Sequence, residues 1–303
     1  MSEPKQAPLK TLVGMDSSPP AHSALEALAL SRVSKACEVS LATVLPEPSL
    51  YQVDEADLSW IPQEVIDSQI KAEQAHLNKL VQKFGPHFAS CQPLVTQGNP
   101  GRGLLDLAEK ISADWIVLGS VGHSAIARIM LGSTSDYVAN RAQCTCLIHR
   151  PIDPPLDTTE GMFSRVVVAI SNAAPDSSLP GWIELLQLQP GCEVHLLHVM
   201  ETHPEYELHL LKKVSAYMEE VRSAAWKLME STRPHLESLG MKVQPMLVES
   251  AHVGQTIVDY ADSHQCDLII VGDQDESLIE RVMLGSVSRF VLRHASQSVL
   301  VAR

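Results

Sequence analysis

Aromatic side chains are scarce in this 303-residue chain: four Trp, five Tyr and four Phe, 4% of the total. Binding single-stranded nucleic acid by base stacking needs an aromatic platform, and this composition does not supply one. Cations are scarce as well. Against 36 Asp and Glu stand 23 Lys and Arg, a net charge of -13, which repels a phosphodiester backbone and excludes nucleic acid as a general partner. No uninterrupted apolar stretch approaches the roughly 18 residues of a bilayer-spanning helix, so no membrane partner is expected. The first residues, Met1-Ser2-Glu3-Pro4-Lys5-Gln6, open with an acid and lack the apolar core of a secretory leader. Six cysteines form no Cys-x-x-Cys pair and are too sparse for a disulfide framework, so reduced, mostly buried thiols in a cytoplasmic protein are expected. Cys144 and Cys146, two apart on an expected strand, share a face; a redox pair and plain core packing both fit that spacing.

What remains is the composition of an ordinary folded protein, 45% hydrophobic and 19% charged. The length suggests two domains, at roughly 100–200 residues each. The chain also contains itself twice. Leu12-Val13-Gly14-Met15-Asp16, followed by the turn-like cluster Ser17-Ser18-Pro19-Pro20, matches Val166 to Ile170 and the residues after it. Glu38 to Val44 matches Glu193 to Val199, and Asp114 to Gly119 matches Asp267 to Gly272. A repeat near 150 residues is a duplicated domain, since solenoid units are roughly 20–50 residues long. Between the copies, 151–162 carries three prolines and several acids and reads as a linker. The expected division is therefore 1–150, linker 151–162, and 163–303.

The strand-like runs are nearly continuous Val, Ile and Leu, the pattern of parallel strands buried on both faces. Helical patterns separate them, among them Ala24 to Ser34, a stretch near 55–83, and Glu205 to Leu239 with an apolar stripe ending at Gly240. Alternating strands and helices predict an α/β fold: two tandem doubly wound, Rossmann-like domains, each with a five-stranded parallel sheet flanked by helices.

In such sheets a ligand sits beyond the carboxyl ends of the strands. The run 114–118 leads into Gly119-Ser120-Val121-Gly122, then nine residues, then Gly132-Ser133-Thr134-Ser135 and a helical pattern from Asp136 to Arg141. Gly119 and Gly122 permit a sharp turn and bring bare amides near a ligand. Ser133 or Thr134 then opens a helix whose free N–H groups form an anion site. A strand-to-helix loop with an N-cap has the same outline; the recurrence of Gly272 and Gly285-Ser286 in the second copy weighs toward a purpose.

The pattern Gly-x2-Gly-x9-Gly-Ser, with a first strand ending in Asp16, resembles the universal stress protein family as a tandem pair covering nearly the whole chain. The resemblance implies ATP or AMP, with or without Mg²⁺, in the first copy. It places Met15, Asp16, Val44, Leu118, Gly119, Gly122, His123, Arg128, Gly132, Ser133, Thr134 and Ser135 around the nucleotide. Asp16 would meet the adenosine end, Val44 the adenine through its backbone, and the Gly/Ser loop the phosphates. Gly98-Asn99-Pro100 matches the family's turn after its third strand and reads more as structure than as ligand contact. Arg128, the cation in the nine-residue segment, reads either as a phosphate contact or as a solvated loop residue.

The second copy departs from this. Ser171 replaces Asp16 and Asp275 replaces Gly122, putting a carboxylate where an amide should meet phosphate, although 119–150 and 272–303 share 13 identities in 32 positions. The first copy is expected to bind nucleotide and the second to be degenerate. No Gly-x4-Gly-Lys-Ser/Thr, no Gly-x-Ser-x-Gly and no His-Glu-x-x-His is present, so catalysis has little support. A stress-response or signalling module is the favoured reading; a slow ATPase, an adenylyl-transferring enzyme and a ligand-free scaffold are the alternatives. The resemblance also implies pairing of the two copies within the chain through strands near 144–149 and 298–302, with a homodimer as a further form. Thirteen scattered histidines show no ligand spacing for a metal. The charge is uneven: 1–150 nets -3 and 151–303 nets -10, so the acidity is concentrated in the copy with the broken loop.

Overall fold

The computed structural model describes residues 8–46, 63–120, 131–151, 162–171, 181, 183, 186–202, 211–273 and 284–303. The linker residues 152–161 and the loop residues Gly122, His123, Arg128 and Asp275 lie outside that set.

Ten strands form one sheet. The first copy supplies β1 (Leu9–Gly14), β2 (Cys37–Leu45), β3 (Ser90–Gln97), β4 (Trp115–Gly119) and β5 (Thr145–His149). The second supplies β6 (Arg165–Ile170), β7 (Glu193–Glu201), β8 (Lys242–Ser250), β9 (Leu268–Gly272) and β10 (Ser298–Ala302). The order is β3-β2-β1-β4-β5-β10-β9-β6-β7-β8. Within each copy all neighbours are parallel. Where the copies meet, β5 and β10 run antiparallel, with Ile148 opposite Val299 and Cys146 opposite Val301. The two expected sheets thus merge into one mixed sheet, a two-domain α/β Rossmann-like fold.

Helices cover both faces: α1 (Pro19–Leu30), α2 (Gln63–Phe84), α3 (Pro100–Ile111), α4 (Ser133–Arg141), α5 (Leu211–Ser238), α6 (Val253–Ser263) and α7 (Ser286–His294). Alternation along the strands divides the core into two layers. Val13, Val39 and Leu41 pack with α1, α2 and α5 residues such as Leu25, Leu77 and Met229. Leu12, Ala42 and Ile116 pack on the other face with α3, α4, α6 and α7 residues such as Leu104, Val138, Ile257 and Val291. Both layers run through both copies, which is why the strands read as unbroken apolar runs.

Helix boundaries differ from the sequence reading where prolines misled it. Ser17-Ser18-Pro19-Pro20 reads as a turn, yet α1 begins at Pro19: Ser18 is its N-cap, accepting from the Ala21 N–H, and prolines in a first turn forfeit no helical hydrogen bond. The helix ends at Leu30 because Ser31 turns extended and its hydroxyl donates to the Leu28 carbonyl at 2.6 Å; a short 3₁₀ turn, Arg32–Ala36, follows. Asn99 caps α3 by accepting from Arg102 N–H at 3.1 Å, and Pro100 of the same turn lines the cleft described below. Gly240, with φ +89, follows α5 and is the residue type that conformation favours. Among the described residues no helix is long and apolar enough to cross a membrane.

The seam has a two-fold pattern. Arg150 donates to the carbonyls of Leu292 (2.7 Å) and Gln297 (3.0 Å). Arg303, 153 positions on, donates to Ala139 (2.7 Å) and Cys144 (3.3 Å), each 153 positions back. The Arg150 N–H donates to Ser298 Oγ, and the Arg303 N–H to Thr145 Oγ1. Between α4 and α7, Arg293 pairs with Asp136 at 2.9 Å and Arg289 donates to Asn140 at 3.2 Å.

Candidate functional site

The strand order reverses between β1 and β4, and the cleft of the first copy opens at that point, beyond the carboxyl ends of β1, β2 and β4. It has a volume of about 440 Å³, within the range of small-ligand sites.

At the end of β1, Met15 is buried and its N–H donates to the Ala42 carbonyl at 2.8 Å. Asp16 follows, exposed, and its Oδ1 accepts from both the N–H and the hydroxyl of Ser18. The carboxylate is thus held by the turn that starts α1. On β2 the peptide groups alternate between neighbours. Ala42 faces β1 through that Met15 bond, and Leu45 faces the β3 side by accepting from Gly98 N–H. Val44 therefore turns its N–H and C=O toward the β1 side, beyond the last β1 residue, Gly14, which stands opposite Ala42. A backbone donor and acceptor side by side, without a partner among the described residues, suit the edge of a flat heterocycle.

Leu118 and Gly119 end β4 and line the cleft. A Cβ on Gly119 would lie 2.6 Å from the Pro20 carbonyl carbon and 2.7 Å from Ala21 N. The glycine is required by the close approach of α1, a reason that motif spacing alone did not reveal. The chain leaves at Ser120 and returns at Gly132, whose N–H donates to the Ser120 carbonyl at 2.7 Å. Gly132 is the N-cap of α4 without a side-chain bond, so the helix opens at Ser133. Its first amides, those of Ser133, Thr134 and Ser135, carry the partial positive charge of a helix N-terminus into the cleft. The Ser135 hydroxyl donates its proton to the Gly119 carbonyl at 2.8 Å, so what Ser135 offers a ligand is its backbone N–H.

The structure thus gathers Met15, Asp16, Val44, Leu118, Gly119, Gly132, Ser133, Thr134 and Ser135 around one cleft. It also adds Glu73, from α2, which sequence reasoning missed. Leu77, Leu80 and Phe84 mark the buried stripe of that helix; Glu73 lies one turn before Leu77 on the same stripe. A carboxylate at an otherwise apolar position was the available signal. None of the described residues lining the cleft is Lys, Arg or His.

In the second copy, register equates Thr43 with His198, since Glu38 opposes Lys10 and Glu193 opposes Arg165. The Thr43 hydroxyl lies 3.1 Å from the Met15 carbonyl; His198 Nδ1 lies 2.8 Å from the equivalent Ile170 carbonyl. Burial holds the His198 pKa below its ordinary value, opposed in part by that hydrogen bond. Ser288 repeats the Ser135 bond by donating to Gly272 at 2.5 Å, and Asp273 pairs with Arg303 at 2.8 Å. His195, on the same strand, has Nδ1 2.8 Å from the Tyr260 hydroxyl. Among the described residues no group of three or more His, Cys, Asp or Glu is arranged to hold a metal ion.

The family model for universal stress proteins matches twice, over residues 9–150 and 162–303. The chain belongs to the universal stress protein family. It carries two copies of the family's domain in tandem. Universal stress protein Sll1388 of Synechocystis is 35% identical over 101 residues, 33% of this chain and 66% of that protein. Universal stress protein MJ0531 of Methanocaldococcus jannaschii is 30% identical over 146 residues, 48% of this chain and 84% of the relative. A solved universal stress protein from Archaeoglobus fulgidus has the same fold over 97% of this chain and 96% of its own, with TM-score 0.62 at 20% identity. Membership in the family supports a role in stress response.

Proposed function

We propose that the protein is an adenine-nucleotide-binding module of a stress response, holding ATP or AMP in the cleft of its first copy. The observation that carries this reading is convergence: the Val44 peptide edge, the Asp16 carboxylate and the α4 N-terminus line one cleft at the switch point of the sheet. The donor set fits the ligand. Val44 N–H and C=O match the edge of adenine, Asp16 matches ribose hydroxyls, and the amides of Ser133, Thr134 and Ser135 match phosphate. Gly122, His123 and Arg128 belong to the same proposal through the loop that Ser120 and Gly132 bracket. Mg²⁺ enters it as the counter-ion of a triphosphate.

The described lining holds two carboxylates and no cation, a poor setting for phosphoryl transfer, which calls for positive charge on the transferred group. Binding, not turnover, is the proposed activity. The second copy lacks the Asp16 carboxylate and is proposed as the structural partner. In this reading 1–150 and 163–303 are the two domains, 151–162 joins them, and they pair within one cytoplasmic chain through β5 and β10.

The test is mass spectrometry of the full chain purified without added ligand, followed by calorimetric titration with ATP and AMP. A retained adenine nucleotide, or one site per chain, supports the proposal. No retained nucleotide and no saturation below about 1 mM, an affinity of only about 4 kcal/mol, overturns it.

A further inference from the structure

Glu73 occupies a place where the α2 helix ought to be apolar. One turn later Leu77 is fully buried, and Leu80 and Phe84 continue the stripe. Glu73 instead lines the cleft, and its Oε1 lies 3.2 Å from the Thr43 hydroxyl. That hydroxyl also lies 3.1 Å from the Met15 carbonyl. A threonine has one hydroxyl proton, so it can satisfy only one of these two acceptors at a time. Asp16 adds a second carboxylate to the lining of the same cleft. This end of the cleft is rich in acceptors, and its described lining offers no cation to balance them. The α4 amides come from the helix layer on the opposite face of the sheet from α2.

From this arrangement we infer that Glu73 is a specificity-determining residue, selecting a base that presents an exocyclic amine, a 6-aminopurine, over a 6-oxopurine. The inference rests on the reading of this cleft as a nucleotide site. An amine donates into the wall formed by Glu73 and the Met15 carbonyl. A 6-oxo group would instead set a third acceptor against two that already share the one Thr43 proton, leaving acceptors unpaired. Phosphate is repelled from the same wall by the two carboxylates, so the nucleotide is oriented with its base toward α2 and its phosphates toward α4.

The second copy supports the assignment by what it lacks. The buried stripe of α5 places Met229 and Leu236 where α2 has Leu77 and Phe84, and β8 pairs with β7 as β3 pairs with β2, with Lys242 and Ser90 at equivalent positions. The equivalent of Glu73 is therefore Ala225, which is buried. Asp16, Thr43 and Glu73 are replaced together, by Ser171, His198 and Ala225, while Gly272, Gly285, Ser286 and Ser288 stay. All three of the first group are lost together, whereas the phosphate-facing frame is only partly changed, Gly122 to Asp275 and Thr134 to Val287.

The test is calorimetric titration of the full chain with ATP, ITP and inorganic tripolyphosphate. The wild type is expected to favour ATP over ITP by about 10–100-fold, the span of one hydrogen bond to a charged group. Glu73→Gln, whose amide can donate or accept, should narrow that ratio to within about 3-fold without weakening tripolyphosphate binding, since a carboxylate that repels phosphate is removed. Glu73→Ala, the residue the second copy carries, is the companion variant and should narrow the ratio by weakening ATP. A wild-type ratio under about 3-fold overturns the inference without any variant, as does an unchanged ratio in a folded Glu73 variant; both leave the nucleotide reading standing. Absence of binding to ATP and ITP alike in the wild type overturns both.

Discussion

Arg150 and Arg303 occupy equivalent places in the two copies, and each donates to one carbonyl in the other copy's last helix and one just beyond it. Arg150 is 2% exposed, and burial lowers its pKa to about 10. One of its partners, the Leu292 carbonyl, is in the last turn of α7, at the negative end of that helix, a setting that favours a cation. Replacing Arg150 with Met should cost about 1–3 kcal/mol, because buried carbonyls lose their donor. Urea denaturation of the full chain measures this, and Arg303→Met should give a loss of similar size. A loss under about 0.5 kcal/mol for either would mean that water serves the carbonyls as well.

Gly119→Ala should destabilise the protein by about 1–3 kcal/mol, since the added methyl collides with backbone and not with a flexible side chain. Gly181→Ala, which meets nothing within 4 Å among the described residues, is the control and should stay within about 0.5 kcal/mol. Equal urea midpoints for the two variants would contradict the close packing of α1 on β4.

His149 should make stability fall in mild acid. Burial, and then the neighbouring Arg150 charge, hold its pKa down to about 4, against an ordinary 6.5. Its ring nitrogens lie 3.1 Å from Ser23 Oγ and 3.4 Å from Ser298 Oγ. The unfolded chain therefore binds one proton more than the folded chain between about pH 4 and 6.5, and stability is full above that window and lost as pH falls through it. The contribution is on the order of 2–4 kcal/mol. His195 and His198, also lowered by burial, act in the same direction. Urea midpoints of wild type and His149→Gln across pH 4–7 should converge toward acid; parallel curves would sink the prediction.

Thiol chemistry should be quiet. Burial pushes Cys37, Cys91 and Cys144 up to about 11, and Cys146, Cys192 and Cys266 up to about 12. Since the thiolate is the reactive form, iodoacetamide at pH 8 should label the folded chain slowly and all six cysteines quickly in urea. Fast labelling of Cys144 in the folded protein would revive the redox-pair reading.

The strands were legible because burial on both faces leaves an unbroken apolar run: 114–119 in the sequence became Trp115–Gly119 in the sheet. The Gly/Ser loop was legible because its chemistry is local, a strand end followed by a helix start. Three features were not. Proline reads as a stop, yet Pro19 opens α1, because its fixed φ suits a first turn. Glu73 escaped notice because a periodicity search follows apolar residues and passes over the polar exception in the stripe. The need for a bare Gly119 arises from Pro20, about a hundred positions away, a proximity that spacing along the chain does not encode.

The antiparallel pairing of β5 with β10 sets the direction of everything beside it. Strands of the first copy run one way and those of the second run the other, so their carboxyl ends lie on opposite margins of the sheet. The molecule is therefore polar along the strand axis. One end displays the cleft lined by Asp16 and Glu73, and the other displays its altered counterpart. Anything that docks at one end meets a single version of the domain, so the duplication gives the chain two distinct addresses in place of a doubled copy of one.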